Sequence, residues 1–274
     1  MDYETIKFDS VGELADHVKQ IKDAPRKYKG HESTDNYDPS FYGDWTIDDA
    51  IECGLAGGNW QQGADAMPRV NVPHETLSGD TLPTPYIDSG IQGFAPNVPN
   101  YLSGMPDDML DIVETDAGDK LLRVAVHVGR YASCVQEHIL NRGSAIMAVL
   151  DQLSLEGYSI ELHAIWRNSD QQGAASVETC IKHGTDHWSP ASVAFALCHA
   201  SFQRRLCWRT AENMKGRGGS ITGRGYGSGM AAEFKDYDIS FGYVDMNADR
   251  HLGSMASAVK YIKKLTLEQL NARK

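Results

Sequence analysis

From residue 120 onward the apolar positions change period several times, and each change marks an element. KLLRVAVHVG (120–129) alternates apolar and polar side chains and is rich in β-branched residues, which predicts a strand. RGSAIMAVLDQLSLEGY (142–158) places Ile146, Val149, Leu150 and Leu153 on one helical face, with Gly157 where a C-cap belongs. YSIELHAIW (158–166) returns to strand character. Strand, helix, strand over this length predicts a βαβ unit with parallel strands and a right-handed crossover. SPASVAFALCHASFQRRLCW (189–208) predicts a helix with Ser189 as N-cap and Pro190 at the first helical position. YDISFGYVD (237–245) predicts a further strand, and GSMASAVKYIKKLTLEQLNARK (253–274) a terminal helix.

The front of the chain is less regular. SVGELADHVKQIK (10–22) predicts a helix, with Ser10 and Glu13 at capping-box spacing and Leu14, Val18 and Ile21 as its apolar stripe. TIDDAIECGLAGG (46–58) predicts a second, shorter helix capped by Thr46. Seven of the ten prolines fall between 68 and 106, so that stretch is expected to be extended and turn-rich, with short edge strands, wrapping the main domain. The pattern divides the chain into an irregular, acidic extension (1–97) and an α/β domain (98–274). The fold class expected is three-layer and Rossmann-like, with a mainly parallel sheet and helices on both faces.

Composition changes this picture little. With 41% hydrophobic and 23% charged residues, wholesale disorder is excluded. No apolar run reaches bilayer length, and the acidic, amphipathic N-terminus resembles neither a signal nor a transit peptide. The five cysteines are scattered and odd in number, as expected for reduced thiols in a cytoplasmic protein. Charge is more informative. Residues 1–119 carry 23 Asp/Glu against 7 Lys/Arg, whereas residues 120–274 carry 14 against 19. An acidic front joined to a mildly basic back points to nucleic-acid contact by the back, or to docking of one half on the other.

The order of strand KLLRVAVHVG, helix-strand segment RGSAIMAVLDQLSLEGYSIELHAIW and a Ser/Thr-rich loop into a long helix resembles a von Willebrand factor A-like domain. VPNYLSGMPDDML, just before that first strand, looks like a segment of an uncharacterised family of phage and prophage proteins. The resemblance spans 98–274 and implies a von Willebrand A-like fold with a metal-dependent adhesion motif, Asp-x-Ser-x-Ser, after the first strand. Here that stretch is HVGRYASC (127–134): it has no aspartate, Arg130 stands where a cation would sit, and Ser133 alone offers an oxygen. Asp245, in YVDMNAD, lacks the partners the motif requires. A degenerate site without metal is therefore expected. The resemblance also implies a setting beside a phage transcription or replication enzyme in the host cell cytoplasm.

Other chemistry is sparsely signalled. Cys180, His183 and His187 in CIKHGTDH have spacings that zinc accepts, with Cys198 or His199 as a fourth ligand, set against a loop of merely polar histidines. No GxSxG, P-loop or HExxH motif occurs. GRGYGSG looks like a dinucleotide glycine motif but follows a helix, not a strand. Asp107 and Asp108 read as helix N-terminal charges. What remains is a basic stretch: Arg204, Arg205, Arg209, Lys215, Arg217 and Arg224, with Tyr226 among the glycines of KGRGGSITGRGYGSGM (215–230) and Phe202 and Trp208 nearby. Arginine pairs with phosphates and aromatic rings stack unpaired bases, so this stretch is the expected single-stranded nucleic-acid contact of a non-enzymatic accessory protein. The alternative is a protein–protein scaffold that docks through its acidic front. No cofactor and no membrane partner are expected; a phage or host protein partner is.

Overall fold

A computed structural model of the chain describes residues 4–23, 38–67, 86–90, 95–104, 106, 109–113, 120–131, 134–169, 174–214 and 234–272. In chain order its elements begin with β1 (Glu4–Phe8), α1 (Val11–Ile21), α2 (Ile47–Leu55), α3 (Gln61–Asp65), β2 (Tyr86–Gly90), β3 (Ala95–Pro96), α4 (Val98–Leu102) and β4 (Met109–Val113). They continue with β5 (Lys120–His127), α5 (Gln136–Leu155), β6 (Tyr158–Ser169), β7 (Ala174–Lys182) and α6 (Pro190–Cys198). A π-helical segment (Phe202–Cys207) then runs into α7 (Trp208–Asn213), followed by β8 (Ile239–Phe241), α8 (Met246–Asp249) and α9 (Met255–Ala272).

The protein is α/β, with a five-stranded, mostly parallel mixed sheet in the order β1-β7-β6-β5-β8. β5 lies parallel to both β6 and β8, and β1 lies parallel to β7; only β6 and β7 are antiparallel. A small antiparallel sheet, β2-β4-β3, precedes β5. The βαβ unit read from the sequence is β5-α5-β6, and α5 ends where expected: Gly157 takes φ 85, and its N–H bonds to the Ser154 carbonyl. Ser10 and Thr46 cap α1 and α2 through the amides of Glu13 and Asp49.

Alternation along the strands separates two faces. Leu122, Val124 and Val126 of β5 join Leu162, Ala164 and Trp166 of β6 and Val177 of β7 in the main core, under α1, α2, α5, α6 and α9. The intervening residues point the other way, and there only Ala125, Ile165 and Phe234, with Tyr237 against them, form a small cluster. Among the described residues that face also carries the ion pairs Arg123–Glu161 at 3.0 Å, Lys7–Glu178 at 3.3 Å and Arg167–Glu178 at 2.8 Å, and His163 Nε2 lies 3.0 Å from Glu161 Oε1. α1, α2, α5, α6 and α9 contribute to the main core on the face of Val124 and Leu162.

Two expectations change. Within the expected extension (1–97), β1 pairs with β7 in the main sheet, and Leu14, Val18, Ala50 and Ile51 are buried in the main core. The apolar pattern predicts neither β1 nor β7; β7 (AASVETCIK) carries Val177 and Ile181 on the helix side and Ser176, Glu178 and Lys182 on the other. The helix expected over 189–208 is broken at His199, whose backbone is extended (φ −109, ψ 133), and resumes with π geometry. At the free edge of β8, Gln269 of α9 replaces a partner strand: its Oε1 accepts from Ser240 N at 2.7 Å and its Nε2 donates to Ser240 O at 3.0 Å. Such a cap satisfies backbone groups that would otherwise invite edge pairing.

Gly143 sets the closest helix approach. A Cβ there would lie 2.4 Å from Cys198 Sγ and 2.5 Å from the Leu197 carbonyl oxygen on α6. Because a backbone atom is in the way, Gly143→Ala is expected to destabilise the protein by about 1–3 kcal/mol, the usual cost of overpacking. Urea unfolding measures this, and an unchanged midpoint would show that α5 and α6 can separate freely.

Candidate functional site

In open α/β sheets ligands bind beyond the carboxyl ends of the parallel strands. Here β5 and β8 meet again three residues past their last residues, with the register slipped by one, through a parallel bridge between Arg130 and Val244, and Tyr131 N donates to Val244 O at 3.2 Å. The chain then carries Cys134 into α5 on one side and Asp249 into α8 on the other. Asp249 is the hub: Tyr131 donates its hydroxyl to Oδ2 at 2.7 Å, His138 Nδ1 lies 2.8 Å from Oδ1, and Cys134 Sγ lies 3.5 Å from Oδ1. Burial raises the Asp249 carboxyl, but the hydrogen bonds from His138, Tyr131 and Cys134 outweigh it and hold the group below the usual carboxylate range. The hydrogen bond to Asp249 pushes the Tyr131 phenol up to about 12, and burial pushes the Cys134 thiol up to about 11. Both therefore stay protonated near neutrality and act as donors to a carboxylate. The thiol is not a poised nucleophile, which would need a depressed value.

Arg130 lies just beneath, 5% exposed, with its Nε donating to Gln203 Oε1 at 2.7 Å. Arg142, on α5, braces the strand ends from behind. Its Nη1 donates to His127 O, and its Nη2 donates to Phe241 O and to Gly242 O. Val135 and Met246, which flank the hub in sequence, are 52% and 69% exposed. The edge thus presents two apolar side chains around a self-satisfied polar cluster.

The three helix arginines expected at nucleic acid are internal. Arg204, Arg205 and Arg209 are 2%, 9% and 2% exposed. Arg204 donates to Phe41 O and to Cys134 O, and stacks over the Phe41 ring. Arg205 donates to Trp45 O and lies 3.5 Å above the Tyr42 ring. Arg209 donates to Ile21 O at 2.6 Å and Lys22 O at 2.7 Å, and pairs with the buried Glu212. Phe202 and Trp208 are core residues. Guanidinium groups turned into the protein are not presented to phosphate, so this part of the expected contact is corrected. Lys215, Arg217, Arg224 and Tyr226 lie outside the described residues, as do Asp107, Asp108 and Ser133. The helix itself carried a partial signal: in SFQRRLCWRTA the arginines are interleaved with Phe202, Leu206, Cys207 and Trp208, bulky apolar residues that a solvated helix rarely presents beside its charges.

The metal-like sets are not assembled. Cys180 Sγ lies 3.5 Å from His183 Nδ1, but His183 Nε2 meets the Asp9 carbonyl at 3.0 Å and His187 is exposed. Cys198 packs at Ser144, and His199 sits between Trp45 and Trp60. Asp245 caps α8, accepting from Asn247 N and Ala248 N. Among the described residues no group of three or more His, Cys, Asp or Glu side chains converges to hold an ion, and no helix is long and apolar enough to cross a membrane.

The class shown is thus an α/β protein with a mixed sheet and a polar hub at its strand ends. The chain belongs to the family described as Domain of unknown function (DUF7192), whose profile matches residues 2–269. That span includes β1 and α1, in line with their place in the main core. No curated protein and no solved structure matches the chain.

Two measurements check this interior. Arg209→Ala removes one member of a buried pair and strands two carbonyls, so a loss of about 3–5 kcal/mol is expected in chemical unfolding; a loss under 1 kcal/mol would place Arg209 at the surface. Burial lowers His127 to about 3 and His199 to about 4. The unfolded chain takes up these protons first, near pH 6.5, so this contribution is complete above that value. It is lost as pH falls towards 4, at about 1.4 kcal/mol per pH unit for each histidine. Unfolding midpoints at pH 7.5 and 5 test this: His127→Gln should flatten the slope, and a midpoint independent of pH would contradict it.

Proposed function

We propose that the chain is a non-enzymatic protein-interaction module of von Willebrand A-like topology that engages its partner without a metal ion. The supporting topology is the order β7-β6-β5-β8, with a β6–β7 hairpin at one side and β5 as the first strand of the βαβ unit. A single observation carries the metal-free part. The place after β5 where a hard cation would need oxygen ligands is filled by the buried Arg130, and the acid near it, Asp249, is taken up by His138, Tyr131 and Cys134. A fixed guanidinium repels a divalent ion, while the exposed Val135 and Met246 give a partner apolar area to cover.

The nucleic-acid reading now rests on Lys215, Arg217 and Arg224, with Tyr226 for stacking. Three phosphate contacts on a single strand give a salt slope of only about −2, which describes a weak and easily displaced binder. The interaction reading is therefore preferred. A phage or host protein remains the proposed partner class, on the resemblance alone.

Partner capture by the intact protein from its native host tests the module. Capture should persist in EDTA and fall at least tenfold in the double variant Val135→Asp/Met246→Asp, whose sites lie outside the core. Loss of capture in EDTA would contradict the metal-free reading. Capture insensitive to the double variant would move the site elsewhere.

A further inference from the structure

Behind the hub, a cleft of about 170 Å³ opens between the outer edge of β8 and helix α9. Arg142, Tyr243 and Tyr261 supply its polar lining, and Phe241, Leu252 and Ile262 much of the remainder. Arg142 is 8% exposed, and its hydrogen bonds run to three backbone carbonyls; no carboxylate pairs with it among the described residues. Arg130, the second buried guanidinium at these strand ends, also has no carboxylate partner among the described residues and adds to the positive potential felt at Arg142. Neutral carbonyls orient a buried guanidinium but leave its net charge in place, and a buried charge is costly until an opposite one meets it. Across the cleft the Tyr261 ring is held flat against His251 at 4.6 Å, and its hydroxyl bonds to no described residue.

Asp245 and Glu268 are close enough to act on Tyr261. Asp245 is held as the cap of α8, and Glu268 lies 3.7 Å from Lys264 Nζ. Their charges act against any anion beside Tyr261, and against a dianion more than a monoanion. A cleft of this volume admits one planar, singly charged group and excludes a nucleotide.

We infer that this cleft is a carboxylate-binding site, in which Arg142 supplies the charge and Tyr261 the hydroxyl donor for a small monocarboxylate or an acidic side chain. Neither Val135 nor Met246 lines it, and it stands or falls independently of the interaction module.

Titration of the isotopically labelled protein with sodium acetate tests it, with sodium phosphate and sodium chloride at matched ionic strength as the other arms. Acetate should give saturable shifts confined to the Arg142 Nε resonance and the amides of 240–244. Tyr261→Phe, chosen because Arg142 also braces the strands, should weaken acetate binding about threefold or more, the value of one neutral hydrogen bond, and leave the spectrum otherwise unchanged. Shifts that are linear, that chloride reproduces, or that survive Tyr261→Phe intact would overturn the assignment. Saturation by phosphate at equal or lower concentration would overturn its restriction to carboxylates. Retained acetate binding in a partner-free sample separates this site from any role in capture.

Discussion

Three guanidinium groups on one helix hold the front of the chain to the sheet domain. Arg204, Arg205 and Arg209 project from the π segment and α7 and donate to the carbonyls of Phe41, Trp45, Ile21 and Lys22. Those acceptors lie at the C-terminal end of α1 and in the turn before α2, where backbone oxygens lack helical partners. A guanidinium presents five donors in a rigid plane and can also stack on aromatic rings, so it satisfies carbonyls while filling space between Phe41 and Tyr42. Lysine at these positions would bring one point charge and lose both the fork and the stack. The π geometry of 202–207 belongs to this arrangement, since wide turns are found where a helix must aim side chains that a regular α-helix would not.

The same row reaches the candidate site. Arg204 also donates to Cys134 O at 3.1 Å, and Cys134 is one of the three donors around Asp249. Arg130 is joined to Gln203, beside Arg204 in the chain. The hub at the strand ends, the π segment and residues 4–23 and 38–67 therefore form one connected interior. This explains why the acidic front is no detachable extension: β1 completes the sheet at β7, and α1 and α2 pack on the helix that carries the arginines.

Much of the secondary structure was legible because it rests on local rules. Alternation marked β5 and β6, Pro190 marked the start of α6, and Gly157 marked the end of α5. The sheet's second face was less legible, since Lys7, Glu178 and Arg167 look like solvated charges until pairing brings them together from three strands. β7 was hidden for the same reason. The hub could not be read at all: Tyr131 and Asp249 are 118 residues apart, and no motif spacing links them. The arginines were read as charge when their apolar surroundings in the sequence already indicated burial. A positive residue on a packed helix meets desolvation before it meets phosphate.

The claim on which these conclusions rest is that the front residues and the sheet domain are one cooperative unit. Native-state amide hydrogen exchange tests it most directly, by comparing the backbone amides of β1 and α1 with those of β5 and β6. The account predicts that the slowest amides of α1 exchange with the same free energy as those of β5, through global unfolding alone. Exchange of α1 through a separate, lower-energy opening, with β5 still protected, would contradict it.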